Sequence, residues 1–279
     1  MSSASRLRTE SALRPLDWIA PPEPIDRELI RTAPETTVGD RPPLLFVHGT
    51  SMGAWCWQQH WMPAAANRGW DCWAVSLRGH GESAGRDRRA RWMYRDYVHD
   101  VLQAVTELPA PPVLVGHSMG SIVVERVAAR YPAAGVVSMG PAGGTNGLVV
   151  ALQLLRHHPA DLVAGLLGRP VPVRPEYVFS PDTEAANTRA ALARMLPPTV
   201  LNQFELLLSK APEAPLCPIR FVGMERDTLI PPSAVERYAR QRGEEAIIIP
   251  RGGHTPHLEP DHWQTALDIT LATIESMIE

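Results

Sequence analysis

Val113-Leu114-Val115-Gly116-His117-Ser118-Met119-Gly120-Ser121-Ile122-Val123 passes from a continuous apolar run, through a turn bracketed by glycines, into a helical period. The run before Gly116 suits a strand buried on both faces of a parallel sheet. After the turn, Ile122, Val123 and Val127 share one face of a helix. A turn this sharp leaves no room for side chains at 116 and 120. It exposes the Ser118 hydroxyl in a strained conformation, and the following helix aims its N-terminus at it.

Similar apolar runs recur at Leu44–Val47, Cys72–Leu77, Val136–Met139, Ile219–Val222 and Ala246–Ile249. Helical periods separate several of them, including Val98, Val101, Leu102, Val105 and Leu108, and the closing series Trp263, Leu267, Leu271, Ile274 and Ile278. The expected architecture is therefore α/β, a doubly wound, mostly parallel sheet. Between Met139 and Ile219 no run reads as a strand. Helical segments are expected near Leu148–His157, Asp161–Leu167, Glu184–Leu196 and Val200–Ser209, with prolines between them. Residues 141–215 thus read as an inserted helical lid, and residues 44–140 and 216–279 as the core it interrupts. Residues 1–43 carry seven prolines and read as an extended arm, with a short strand near Leu29–Val38. A homodimer held by this arm is one option; laying it over its own core is the other.

The 279 residues are 44% hydrophobic and 20% charged, with a formal net charge of −3, as in ordinary globular proteins. No basic stripe points to nucleic acid. The five arginines of Arg86–Arg95 read as a solvated loop leading into a helix. Cys56, Cys72 and Cys217 have neither metal-ligand nor redox spacing and read as free thiols of a reducing, cytoplasmic compartment. No apolar run is long enough to span a bilayer, so stable membrane insertion is not expected. With no metal cluster and no nucleotide-binding glycine loop, no cofactor or metal is expected.

A serine hydroxyl needs a base, and the base needs an orienting acid. Asp227 follows the Ile219–Val222 run and His254 follows the last run, so both fall at the carboxyl edge of the sheet with Ser118. Glu225 is the rival acid and His257 the rival base. His117 should point back into the packing, and His80 and His99 read as structural or exposed. Negative charge developing on a carbonyl oxygen needs backbone donors. The N–H of Met119 is one. The loop His48-Gly49-Thr50-Ser51-Met52-Gly53 offers Thr50 as the second, with Ser51 the alternative. Ser51, Trp55 and Trp57 are candidate pocket residues.

Five blocks in order resemble the α/β-hydrolase fold superfamily: His48-Gly49, Leu77 to Ser83, Gly116 to Gly120, Asp227 with Pro231, and Gly253-His254 with Pro256, Glu259 and Pro260. The segment Gly53 to Trp57 is similar to the esterase-like and hydroxynitrile-lyase-like branch. The resemblance implies the same trio, Ser118, Asp227 and His254, a lid over the site, and a bracing role for Arg78 and His80. It implies an ester-cleaving enzyme of the serine esterase or lipase type. The lid leucines, among them Leu148, Leu152, Leu155, Leu162, Leu166, Leu206 and Leu207, lead to the expectation of a mainly apolar pocket and so of a small-molecule ester with a hydrophobic acyl or alcohol part. Relatives that use an alkyl-ester route carry aspartate where this chain has Ser118. A cofactor-free lyase or cyclase, and a binding protein keeping the trio as a pocket, are the alternatives.

Overall fold

Period-two burial along the strands builds the molecule. Leu44 and Phe46 pack into one apolar cluster, and Leu45 and Val47, their alternates, into another, so the sheet is covered on both faces. The structure, a computed structural model, describes residues 22–36 and 38–279. Its strands are β1 (Leu29–Thr32), β2 (Leu44–Val47), β3 (Cys72–Val75), β4 (Val113–His117), β5 (Gly135–Met139), β6 (Ile219–Met224) and β7 (Ala246–Ile249). They form one seven-stranded sheet in the order β1-β3-β2-β4-β5-β6-β7. All neighbours are parallel except β1, which runs antiparallel to β3 with Leu29 opposite Val75 and Thr32 opposite Cys72. This is the expected α/β architecture.

The Trp-rich cluster lies under α1 (Trp55–Gln58), α2 (Trp61–Ala66) and the last helix, whose Leu267, Leu271 and Ile274 pack into it. Helices α3 (Tyr94–Glu107) and α4 (Met119–Ala128) cover the opposite face through Val98, Val101, Ile122 and Val123. Between β5 and β6 the chain builds a helical insert: α5 (Asn146–His157), α6 (Pro159–Leu166), α7 (Pro175–Val178), α8 (Ala185–Arg194) and α9 (Val200–Leu208). Proline opens α6 and α7, where a missing N–H costs nothing. Two helices complete the fold, α10 (Pro232–Arg240) and α11 (Trp263–Ile278).

The short strand expected near Leu29–Val38 is Leu29–Thr32, at the edge of the sheet, while residues 1–21 of the arm lie outside the described residues. The third run, expected to reach Leu77, is corrected at its end: it stops as strand at Val75, and the Ser76 N–H donates to the Glu28 carbonyl at 3.0 Å. Of the two readings open for His80 and His99, structural or exposed, both residues take the structural one and are buried. Within the arginine run, Arg86–Arg91 forms a 3₁₀ helix with no buried residue before α3 begins. The three cysteines are free. Among the described residues no helix is long and apolar enough to cross a membrane.

Candidate active site

The turn at Ser118 is held in a conformation that only its surroundings permit. Ser118 has φ 53° and ψ −117°, and among the described non-glycine residues only Arg251 also has positive φ. A Cβ at Gly116 would lie 2.5 Å from the Gly120 carbonyl oxygen. One at Gly120 would lie 2.4 Å from the Val47 oxygen and 2.6 Å from that of His48. Both glycines are therefore required by backbone contact. The Ser118 N–H donates to the Met139 carbonyl at 2.8 Å, which ties the turn to β5. Met119 is the first residue of α4, so its N–H has no intrahelical partner.

Asp227 and His254 meet as the sequence suggests. Asp227 Oδ2 lies 2.7 Å from His254 Nδ1, with both residues buried. The other carboxylate oxygen accepts from the N–H groups of Leu229 and Ile230 at 2.8 and 2.9 Å, which fixes the plane of the carboxylate. The pairing leaves His254 Nε2 as the free ring nitrogen of that histidine, and His254 and Ser118 line one cavity. The rivals point elsewhere. Glu225 accepts from the Arg251 N–H at 2.7 Å. His257 is stacked on Trp57 with ring centroids 4.2 Å apart, and neither of its nitrogens has a partner.

The loop after β2 is pinned at successive carbonyls. The Gly49 oxygen accepts from the Met52 N–H at 3.2 Å and lies 2.7 Å from His48 Nδ1. Across a trans peptide, this holds the Thr50 N–H on the opposite side. His48 Nε2 accepts from the Leu77 N–H at 3.0 Å, so its proton sits on Nδ1, and burial lowers its pKa to about 3. The Thr50 oxygen accepts from His80 Nε2 at 2.8 Å, and the Ser51 oxygen accepts from the Leu196 N–H of the insert at 2.9 Å. The bracing implied for Arg78 is present too: its guanidinium and its backbone N–H both reach the buried Asp100 carboxylate, at 2.7 and 2.8 Å.

Thr50, Ser51, Ser118 and His254 form the polar floor of a cavity of about 190 Å³ whose walls come largely from the insert. Val150, Leu154, Leu162, Val173 and Phe204 line it, and Leu229 closes one side. Two expected pocket residues do not line it. Trp57 is fully buried beneath the floor, stacked on Phe46 at 5.0 Å and on His257. Trp55 is buried under the Arg194 guanidinium, 4.4 Å from its ring. Both are large enough to line a pocket, and core packing claims them instead. Among the described residues no cluster of side chains is arranged to hold a metal ion.

Two residues not assigned a role from sequence secure the histidine loop. His117 Nε2 donates to the His254 carbonyl at 2.7 Å, so the residue beside Ser118 holds the backbone of the base. Burial, reinforced by the His254 and His257 rings, pushes the His117 pKa well below its ordinary value. Glu259 accepts from the N–H groups of Gly253 and Ser180 at 3.1 and 2.7 Å, joining the histidine loop to the insert. Burial pushes its pKa up to about 7 against those hydrogen bonds. The Thr255 N–H adds a third tie, donating to the Val178 carbonyl at 2.8 Å. The only signal for His117 was its position next to Ser118, and for Glu259 its place in the run from Gly253 to Pro260.

The seven-stranded, mostly parallel sheet that carries this site has counterparts among known proteins. The sequence profile described as "Alpha/beta hydrolase family" matches residues 44–264. The chain belongs to the alpha/beta hydrolase family. Solved structures with this family's fold include an esterase from Thermogutta terrifontis, with a TM-score of 0.64 and 20% identity over 91% of this chain and 96% of that one. A monoacylglycerol lipase from Paleococcus ferrophilus gives 0.62 and 18%, over 91% and 98%. A bromoperoxidase from Bacillus anthracis gives 0.64 and 15%, over 91% and 96%. At these identities the likeness is one of fold. No curated protein matches the chain.

Proposed function

We propose that this member of the family hydrolyses carboxylic esters with a hydrophobic acyl or alcohol part, using Ser118, His254 and Asp227. The observation that carries the reading is the 2.7 Å pairing of Asp227 with His254 Nδ1 in a cavity that also exposes the strained Ser118. In this mechanism the Ser118 hydroxyl attacks the ester carbonyl carbon while His254 Nε2 takes its proton. Asp227 keeps the ring in the required tautomer and stabilises the imidazolium. The N–H groups of Thr50 and Met119 receive the carbonyl oxygen as it becomes negative. His254 then protonates the departing alkoxide. A water attacks the acyl-serine, giving its proton to His254, and the acid leaves as the Ser118 proton is restored.

The substrate class follows from the walls. Apart from the floor, the cavity is lined mainly by aliphatic and aromatic side chains of the insert, which favours an apolar group over a charged one. The insert acts as a lid: its hydrogen bonds to Ser51, Thr255 and Glu259 seat it on the loop after β2 and on the loop that carries His254. The test combines turnover of a chromogenic hydrophobic ester with mass analysis after treatment with an alkyl phosphonate. The proposal expects turnover, one adduct on the Ser118 peptide, and loss of both in Ser118→Ala. Neither turnover nor adduct would overturn it, and labelling without turnover would make the chain a binding protein.

A further inference from the structure

The helical hairpin α5–α6 turns leucines outward. Leu148, Leu152 and Leu155 on α5, at spacings of four and three, are 59%, 62% and 53% exposed. Val163, Leu166 and Leu167, at the end of α6, are 54%, 57% and 72% exposed. Six of the ten large exposed hydrophobic residues among the described residues thus fall within 20 consecutive positions, 148 to 167. Single exposed leucines need no explanation, but a concentration on one hairpin does.

Two further observations say what covers it. The first is charge. The protein carries a net −3, yet the exposed charged residues between 146 and 169 are Arg156 and Arg169. The one carboxylate in that stretch, Asp161, is buried and held by Arg174 at 2.6 Å. Glu176, from α7, faces His158 at the turn of the hairpin, 3.9 Å away. The second is continuity with the cavity. Leu154, Leu162 and Gly165, on the inner side of the same two helices, line the space above Ser118, and Leu166 belongs to both the lining and the exposed set. An apolar path therefore runs from the outer face of the hairpin to the serine.

We infer that the α5–α6 hairpin is a docking face for an anionic lipid–water interface, from which the ester enters the cavity. The inference rests on the proposed ester hydrolysis for the fate of the ligand, but not for the binding itself. The leucines sink to the depth of the acyl chains and the two arginines meet the anionic headgroups, as in helices that lie on a membrane without crossing it. Burying apolar area supplies the adhesion, and the cationic rim selects the surface and adds a salt-sensitive part.

The experiment is flotation of the full chain, as Ser118→Ala so that no lipid is consumed, with vesicles of phosphatidylcholine alone and with added phosphatidylglycerol. The expected result is co-flotation with the anionic vesicles, weakened by salt, and about tenfold weaker partitioning for Leu152→Asp/Leu167→Asp. Arg156→Glu/Arg169→Glu should abolish the preference for phosphatidylglycerol. In the Ser118 background, the leucine double variant should keep its turnover of a dissolved short-chain ester, which separates lost docking from lost folding. No flotation of the parent, or undiminished flotation of the leucine variant, would overturn the inference. So would a concentration-dependent dimer that the leucine variant dissolves, because a second copy would then own the face. Flotation is read without catalysis, so failure of the hydrolase reading would leave this result standing on its own.

Discussion

The turn around Ser118 and the helical insert above it hold their shapes by opposite means. At the turn, backbone meets backbone: Gly116 and Gly120 leave less than 2.7 Å for any Cβ, and every strand beside it is buried. In the insert, α5 has three buried residues out of twelve and α6 one of eight, and leucines face solvent. The rigid region holds the groups that would form and break bonds, and the loosely packed region holds the surface that would choose what enters. A fold divided this way can change its substrate without disturbing its chemistry.

Several substitutions break or sharpen that contrast. Ser118→Ala and Asp227→Asn should each lower ester turnover by about 10⁴-fold with the fold retained, as circular dichroism would confirm. Gly120→Ala should cost several kcal/mol, on the order of 10 °C in melting temperature, or yield no soluble protein. Its counterpart in the insert, Gly168→Ala, also sits at positive φ (76°) but has nothing within 4 Å. It should cost only about 1 kcal/mol. Equal losses at the two glycines would erase the distinction between the regions. Leu154→Trp, which fills the cavity from the insert side, should raise KM for a long-chain ester about tenfold and leave acetyl ester turnover nearly unchanged.

The buried histidines make the rigid region sensitive to acid. His48 and His257 are held to about 3 and His80 to about 4, from an ordinary 6.5, chiefly because burial disfavours their charged forms. Between those values the unfolded chain binds more protons than the folded one, so stability rises with pH there and is lost as pH falls from about 6.5 toward 3. Urea midpoints at pH 7 and pH 4.5 should differ accordingly, and His257→Leu should reduce the difference. Glu259 works with the opposite sign. Its pKa is raised from 4.5 to about 7, so its contribution is fully present below 4.5 and is lost as pH rises through 7. Glu259→Gln should flatten that upper limb by the smallest margin in this series, readable as the change in midpoint between pH 5 and pH 8.

The parallel strands were legible because burial on both faces writes a continuous apolar run, as at Leu44–Val47 and Ala246–Ile249. The Ser118 turn was legible because its steric demand falls on two glycines close in sequence. What the chain does through space was not. His117 reaches the carbonyl of His254, 137 positions on, and Glu259 binds the insert at Ser180, 79 positions back. No local pattern encodes either contact. Trp55 and Trp57 were misplaced for a related reason: proximity in sequence to the loop after β2 does not say which side of it a side chain takes. The helices α1 and α2, at four and six residues, were too short to display a period.

The structure of the chain with a phosphonate covalently bound tests the central claim most directly. The account predicts phosphorus bonded to Ser118 Oγ, its charged oxygen within hydrogen-bond distance of the Thr50 and Met119 N–H groups, and its alkyl chain lying among Val150, Leu154 and Phe204. A phosphonate bonded to any other residue, or one on Ser118 whose oxygen faces away from both N–H groups, would contradict it.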